Sequence, residues 1–153
     1  MAFLSSMNIV GSGMTAQQLR LDVISENITN INTTRTEAGG AYRRKMVVLQ
    51  AESGQSGFQA AMAAAAGNVT PRLDSPTVGG VRVAEIAEDP SALPLIYDPS
   101  NPDANADGYV EMPNVTLVKE LTDAMAATQA FSANVTAFNA LKEVVSRGLE
   151  IGR

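Results

Sequence analysis

The last quarter of the chain, from about residue 113 to residue 153, carries the pattern that most constrains the fold. Apolar residues recur there in alternating steps of four and three: Leu117, Leu121, Ala124, Thr128, Phe131, Val135, Phe138, Lys142, Val145 and Leu149, with only Thr128 and Lys142 polar. This repeat predicts a long helix with one narrow apolar face. At about 1.5 Å per residue the helix would be about 50 to 60 Å long. Because so long a face needs cover along its length, another helix, or another chain, must lie beside it.

The N-terminal segment repeats the same rhythm at Phe3, Met7, Val10, Met14, Gln17, Leu21, Ile24, Ile28 and Ile31. We therefore expect the two ends to pair as an antiparallel coiled coil, the alternative being the core helix pair of an ordinary bundle. The flanking residues Val118, Met125, Leu141 and Val144 would face a neighbouring subunit, whereas Lys119, Glu120 and Asp123 are expected off the apolar face. The residues expected to form this assembly seam are Phe3, Met7, Val10, Met14, Leu21, Ile24, Ile28, Leu117, Leu121, Phe131, Val135, Phe138, Val145 and Leu149.

Two glycines interrupt the N-terminal pattern, at Gly11 and Gly13. Each costs about 1 kcal/mol relative to alanine inside a helix, so a reason for them is required. One explanation is close approach of a neighbouring backbone. The other is a helix break followed by a new start at Thr15, where Thr15-x-x-Gln18 has the spacing of a capping box. The sequence leaves both open.

The segment between the two ends has a mixed, β-rich pattern. Residues 30–40 predict an irregular helix exit, residues 42–49 a strand, and residues 52–77 a loop whose alanine run over 60–66 could become helical. Val81 to Glu85 and Leu93 to Tyr97 predict a small sheet, or a hairpin turning at residues 88–90, and Pro113-Asn114 is expected to open the long helix. The predicted fold is mainly α (α+β). Its parts are an N-terminal helix over 1–31, a loop and β-rich segment over 32–112, and a C-terminal helix over 113–153.

Composition excludes several classes of function. The chain has no cysteine and no histidine, which removes Ser-His and Cys-His nucleophile pairs and the ordinary zinc site. The net charge of −5 disfavours a nucleic-acid partner, whose phosphates require clustered cations. We expect no enzyme, catalytic residue, metal or cofactor; an enzyme using carboxylates alone is the remote alternative. No segment has the length of a membrane span, and the start lacks the basic region of a cleaved signal peptide.

One motif imitates a metal site. Asp103-x-Asn105-x-Asp107-Gly108 matches the first half of a calcium-binding loop. The second half fails, because the position that should supply a bidentate glutamate is Asn114. A plain turn is the expected structure.

A second set of motifs resembles a known family. Asn27-Ile-Thr-Asn-Ile-Asn-Thr33 followed by Tyr42-Arg-Arg44 resembles the N-terminal motif of rod and hook proteins of the bacterial flagellum. Residues 32–45, Met112-Pro-Asn-Val115 and Leu149-Glu-Ile-Gly-Arg153 are similar to the proximal-rod members of that family, although Ala41 stands where the family usually has proline. The motif residues are Asn27, Asn30, Asn32, Thr33, Tyr42, Arg43, Arg44, Pro113 and Asn114.

The resemblance implies a structural subunit of the proximal rod in the flagellar basal body. Such subunits stack helically into a periplasmic drive shaft that transmits motor torque and encloses the export channel. The implied partners are other rod proteins, the ring-to-rod adaptor, copies of the chain itself and the flagellar type III export apparatus, without direct membrane insertion. Export without a cleaved signal peptide fits the observed N-terminus. The alternative is a soluble coiled-coil adaptor that does not enter the rod.

Overall fold

The computed structural model describes residues 2–37, 39–52, 65 and 79–151. The elements in chain order are α1 (Ala2–Thr29), β1 (Lys45–Ala51), β2 (Val81–Glu88), β3 (Leu95–Tyr97), β4 (Tyr109–Glu111) and α2 (Leu117–Ile151). The predicted fold class is confirmed: two long terminal helices enclose a small β insert. Within the described residues, neither helix combines the length and hydropathy that a membrane crossing requires.

The two helices pack against each other in antiparallel orientation. Asn27 near the end of α1 bonds to Glu120 near the start of α2, while Gly13 lies against Asn134 farther along. Ala16 and Ala127 are buried in this interface, and their small side chains allow the helix axes to come close. If the same pairing continues along the helices, Ala2 at the start of α1 lies beside Val145. The last turns of α2 therefore extend beyond α1.

The buried face of α2 differs from the predicted one at its start. Glu120, expected off the apolar face, is 0% exposed, whereas Leu117 and Leu121 are 45% and 50% exposed. The prediction for Glu120 was wrong because Asn27 and Arg44 both bond to its carboxylate and turn that side of the helix inward. Hydrophobic periodicity alone cannot predict that hydrogen bonds will bury a charged residue.

The glycine pair does not break α1, which runs through both positions. A Cβ atom at Gly13 would come within 2.9 Å of the Asn134 side-chain nitrogen, so close approach of α2 explains this residue. Thr15 is not a helix cap. Its hydroxyl donates to the carbonyl of Gly11 one turn earlier, as in a helix interior.

The strands form two separate antiparallel pairs. β1 pairs with β2 from Lys45 opposite Glu88 to Ala51 opposite Val81, with an irregularity between Val48 and Leu49. β3 pairs with β4. The predicted hairpin between residues 81–85 and 93–97 is therefore wrong.

The turn proposed at residues 88–90 has another role. The Asp89 amide donates to the carbonyl of Arg44 at 2.8 Å, so the chain continues the β1–β2 ladder at the point where it was expected to reverse. The predicted strand over 42–49 begins at Lys45, and the helix expected from Pro113 begins at Leu117. Apart from residues 52 and 65, the loop predicted over 52–77 lies outside the described residues.

Candidate functional site

The side chain of Asn27 is the centre of a buried polar cluster between the helices and the first sheet. Its Nδ2 donates to Glu120 Oε2 at 3.0 Å and to the Lys45 carbonyl at 2.9 Å. Its Oδ1 accepts from the Lys45 amide and from the Tyr42 hydroxyl, each at 2.9 Å. Because the amide bonds to both backbone groups of Lys45, it takes the place of a neighbouring strand at that residue.

A network of charges lies next to Asn27. Arg44 Nε donates to Glu120 Oε1, and Arg44 Nη2 donates to Asp123 Oδ2 at 2.9 Å. Arg20 of α1 approaches the other oxygen of Asp123 at 3.6 Å. Arg44 and Glu120 are both buried. Removal of one partner from such a pair leaves an uncompensated charge, which costs about 3 to 5 kcal/mol.

A second asparagine completes the ladder on the opposite side of β1. Asn114 Oδ1 accepts from the Arg44 amide at 2.8 Å, and its Nδ2 donates to the Asp89 carbonyl at 3.3 Å and the Ser91 hydroxyl at 2.8 Å. The guanidinium of Arg43 donates to the carbonyls of Asp89 and Ser91. Hydrogen bonds from Ser91 lower the pKa of the Asp89 carboxyl.

We call Asn27, Tyr42, Arg44, Asn114 and Glu120 the polar joint. Burial raises the pKa of Tyr42 to about 12, with further contributions from the charges of Glu26, Glu120 and Glu88. The hydroxyl therefore remains protonated at neutral pH and keeps its bond to Asn27. Each polar side chain in the joint bonds to another segment, so the arrangement is suited to holding segments together.

The remaining motif residues order the helix exit. Asn30 Nδ2 donates to the Glu26 carbonyl at 3.0 Å, and Asn30 Oδ1 accepts from the Thr33 hydroxyl at 3.1 Å. The Tyr42 amide donates to the carbonyl of Thr33 at 3.1 Å, closing the loop between α1 and β1. Asn32 is exposed, whereas Pro113 is buried beside the joint. Most residues of the family motif therefore belong either to this loop or to the polar joint.

The calcium-like loop uses its polar groups for turns. Asn105 Oδ1 accepts from the amides of Asp107 and Tyr109, and Gly108 has φ of 80°. Asp103 accepts from the Thr34 hydroxyl at 2.8 Å and pairs with Arg35 at 3.6 Å. Within the described residues, no three acidic side chains are placed to share a metal ion.

The residues of the predicted assembly seam occupy three environments. Ile24 is buried; exposed are Leu117, Leu121 and Leu149; half-buried are Met7, Val10, Met14, Leu21, Ile28, Phe131, Val135, Phe138 and Val145. The side chain of Phe3 lies outside the described residues. Leu117 and Leu121, with the exposed Val118 and Met125, form an apolar surface at the start of α2, which we call the α2 surface.

Sequence reasoning missed Glu120 and Asp123 as partners of the motif. A signal was present: the strand predicted over 42–49 carries Arg43, Arg44 and Lys45 near its start, and a buried arginine requires an acid. Periodicity gave no means of deciding which acidic residue would meet it, because the partners lie 76 or more positions away in the chain.

Two family descriptions match the ends of the chain. "Flagella basal body rod protein" matches residues 7–35, and "Flagellar basal body rod FlgEFG protein C-terminal" matches residues 106–151. The flagellar basal-body rod protein FlgC of Bacillus subtilis is 44% identical over 156 aligned residues, covering 97% of each chain. FlgC of Borreliella burgdorferi is 40% identical over 99% of this chain and 98% of its own. FlgC of Salmonella typhimurium is 35% identical over the whole of both. With whole-length similarity at these levels and the family motif built into the polar joint, the chain belongs to the FlgC family of flagellar basal-body rod proteins.

Proposed function

We propose that this chain is a structural subunit of the proximal rod that stacks helically with other rod proteins into the drive shaft of the flagellum. The observation that carries the proposal is the whole-length similarity to FlgC proteins of several bacteria. The architecture supports it, because two long paired helices with an exposed apolar surface are suited to side-by-side packing. The paired helices, residues 1–31 and 113–153, would form the inner unit around the export channel. Residues 32–112 would form the outer unit.

The polar joint has a specific role in this proposal. A drive shaft must transmit torque between its inner and outer layers, so the connection between them must be stiff. Arg44 comes from the segment before β1 and bonds to two acids of α2, while Asn114 bonds back to the same residue. Several charge-assisted bonds of defined geometry between the layers restrict their relative orientation.

The proposed partners are other rod proteins, the ring-to-rod adaptor, copies of this chain and the flagellar type III export apparatus. The α2 surface supports the contact with neighbours. Val118 and Met125 are each 74% exposed, and such apolar side chains grouped on one helix face are typical of protein interfaces. We further propose that neighbouring subunits cover the exposed seam residues at both ends of α2 on assembly, since the end of α2 extends past α1.

The test is the location of the chain in purified basal bodies. A tagged copy expressed in a strain lacking the native gene is expected to restore swimming and to co-purify with the rod. Export should require the flagellar type III gate. A soluble adaptor, the alternative, would remain in the cell extract and would be insensitive to loss of the gate. Absence of the chain from otherwise complete rods would overturn the proposal.

A further inference from the structure

The outer edge of β1 carries hydrogen-bonding groups without partners among the described residues. The Arg44 carbonyl and the Glu52 amide both bond toward the β2 side. Since backbone direction alternates along a strand, the even-numbered residues face β2 and the odd-numbered residues face outward. Asn27 covers the outward groups of Lys45, but those of Val47, Leu49 and Ala51 have no partner in the described part of the chain.

This open edge borders a groove. The groove has a volume of about 480 Å³ and is bounded by β1, by Val23 and Ile24 of α1, and by the start of α2. Its walls include the cations Arg20, Arg44, Lys45 and Lys119 and two acids, Glu120 and Asp123, both of which pair with Arg44. Arg20 makes only a long contact with Asp123, and Lys119 has no ion-pair partner in the described part of the chain. The groove therefore offers an apolar floor, a strand edge and more cationic than acidic side chains.

The outer edge of β3 also lacks a hydrogen-bonding partner among the residues that the structure describes. The Pro94 carbonyl and the Asp98 amide bond toward β4, so the backbone groups of Leu95 and Tyr97 point away from it. The other edge of the hairpin is covered where Asn105 bonds to both backbone groups of Tyr109. β3 pairs with no other strand in the described ranges.

The side chains of β3 are exposed although they are apolar. Leu95, Ile96 and Tyr97 are 59%, 50% and 64% exposed, an unusual state for three successive large hydrophobic residues. Asp98 follows the strand, and Glu111 lies opposite Leu95 on β4. The hairpin is thus an apolar ribbon with acidic ends, complementary in charge to the groove beside β1.

We propose that β3 of one copy adds as a strand to the outer edge of β1 in a second copy and lies in that copy's groove. β1 presents three outward residues, Val47, Leu49 and Ala51, and β3 presents two, Leu95 and Tyr97. Outward residues recur at every second position on both strands, so the hydrogen-bonding groups of β3 match two successive outward residues of β1 in spacing. The contact joins two different surfaces and leaves each copy able to repeat it, as a helical array requires. This inference rests on the proposed rod function and identifies one contact between neighbouring copies.

The absence of cysteine from the chain allows a direct test by disulfide cross-linking in the rod. Two differently tagged copies are expressed together. One carries Val47→Cys or Leu49→Cys and the other carries Leu95→Cys or Tyr97→Cys, each variant having first been shown to support swimming. After oxidation of purified basal bodies, at least one pairing is expected to give about tenfold more cross-linked dimer than a control. The control pairs the β3 cysteine with Arg82→Cys on the exposed part of β2, since only opposed strand residues lie within disulfide reach.

A charge exchange provides an independent measurement. Lys119→Glu is expected to lower the cross-linked fraction several-fold, and Glu111→Lys in the partner copy is expected to restore it. No cross-link above the control, with both copies present in the rod, would overturn the contact and leave the rod function intact. A disulfide from Leu49→Cys to a different basal-body protein would also overturn it. Absence of both copies from the rod would instead count against the proposed function.

Discussion

At the scale of single residues, the polar joint is organised by two asparagine amides and one buried carboxylate. Asn27 and Asn114 occupy opposite sides of the segment leading into β1, and each satisfies backbone groups that would otherwise lack partners. Glu120 receives bonds from Asn27 and Arg44, which offset the cost of its burial. These residues fix where the β insert begins relative to the helices.

Replacing Glu120 by glutamine should lower the free energy of unfolding by about 2 to 4 kcal/mol, because Arg44 would keep only Asp123 as an anionic partner. The measurement is urea unfolding of the purified chain followed by circular dichroism. The matched control is Glu143→Gln, which breaks an exposed pair with Arg147 on the same helix. It should change stability by no more than about 0.5 kcal/mol. Equal effects of the two substitutions would contradict the role of the joint.

The stability of the joint should also depend on pH through Tyr42. Its pKa is raised from 10.0 to about 12 in the folded chain, so folding favours the protonated hydroxyl. The contribution is complete below about pH 10 and is lost as pH rises through about 12. Unfolding measured at about pH 9 and about pH 11 should show a larger loss of stability for the native chain than for Tyr42→Phe. The same loss in both would show that other groups cause it.

At the scale of elements, the pairing of α1 with α2 depends on small residues. Gly13 faces Asn134, whereas a Cβ atom at Gly11 would meet nothing within 4 Å. The two glycines look equivalent in the sequence. Their surroundings differ because only one of them faces the partner helix.

Gly11→Ala should therefore raise the free energy of unfolding by about 0.5 to 1 kcal/mol, the ordinary gain from replacing glycine in a helix. Gly13→Ala should gain less, since the Asn134 side chain must move, and Gly13→Leu should destabilise the chain through overpacking. Thermal unfolding of the three variants checks this order. A gain for Gly13→Leu as large as that for Gly11→Ala would show that the helices are not closely packed there.

At the scale of the whole molecule, stability and assembly should be separable. Leu121 lies on the α2 surface. Leu121→Asp should therefore leave the free energy of unfolding of the isolated chain nearly unchanged while preventing incorporation into the rod. Phe131→Asp lies half-buried in a groove with Met14 and Leu19 of α1 and should impair both. Thr122→Asp, at an exposed position of the same helix, is the control. Normal swimming of Leu121→Asp would exclude the α2 surface as an essential contact.

The isolated chain should have less helix than the assembled one. Leu149, in the part of α2 that extends beyond α1, is 73% exposed, so nothing in the described chain compensates the entropy of ordering this end. We expect circular dichroism of dilute monomer to show reduced helicity and assembly to increase it. Full helicity with a single cooperative melt in the monomer would contradict this expectation.

The sequence alone determined the two long helices, their antiparallel pairing, the β character of the insert and the family, because heptad periodicity and the motif around Asn27 and Tyr42 are local signals. Only the tertiary structure decided which strands pair, which glycine faces a neighbour and which carboxylate is buried. Val81 to Glu88 pairs with a strand 30 or more positions earlier, where turn signals predicted the adjacent segment. Glu120 was expected off the apolar face of its helix; instead it is buried and accepts a hydrogen bond from Arg44. The physical reason is the same in both cases: periodicity reports the balance of apolar and polar residues, whereas a buried hydrogen bond depends on groups far apart in the chain that meet only after folding.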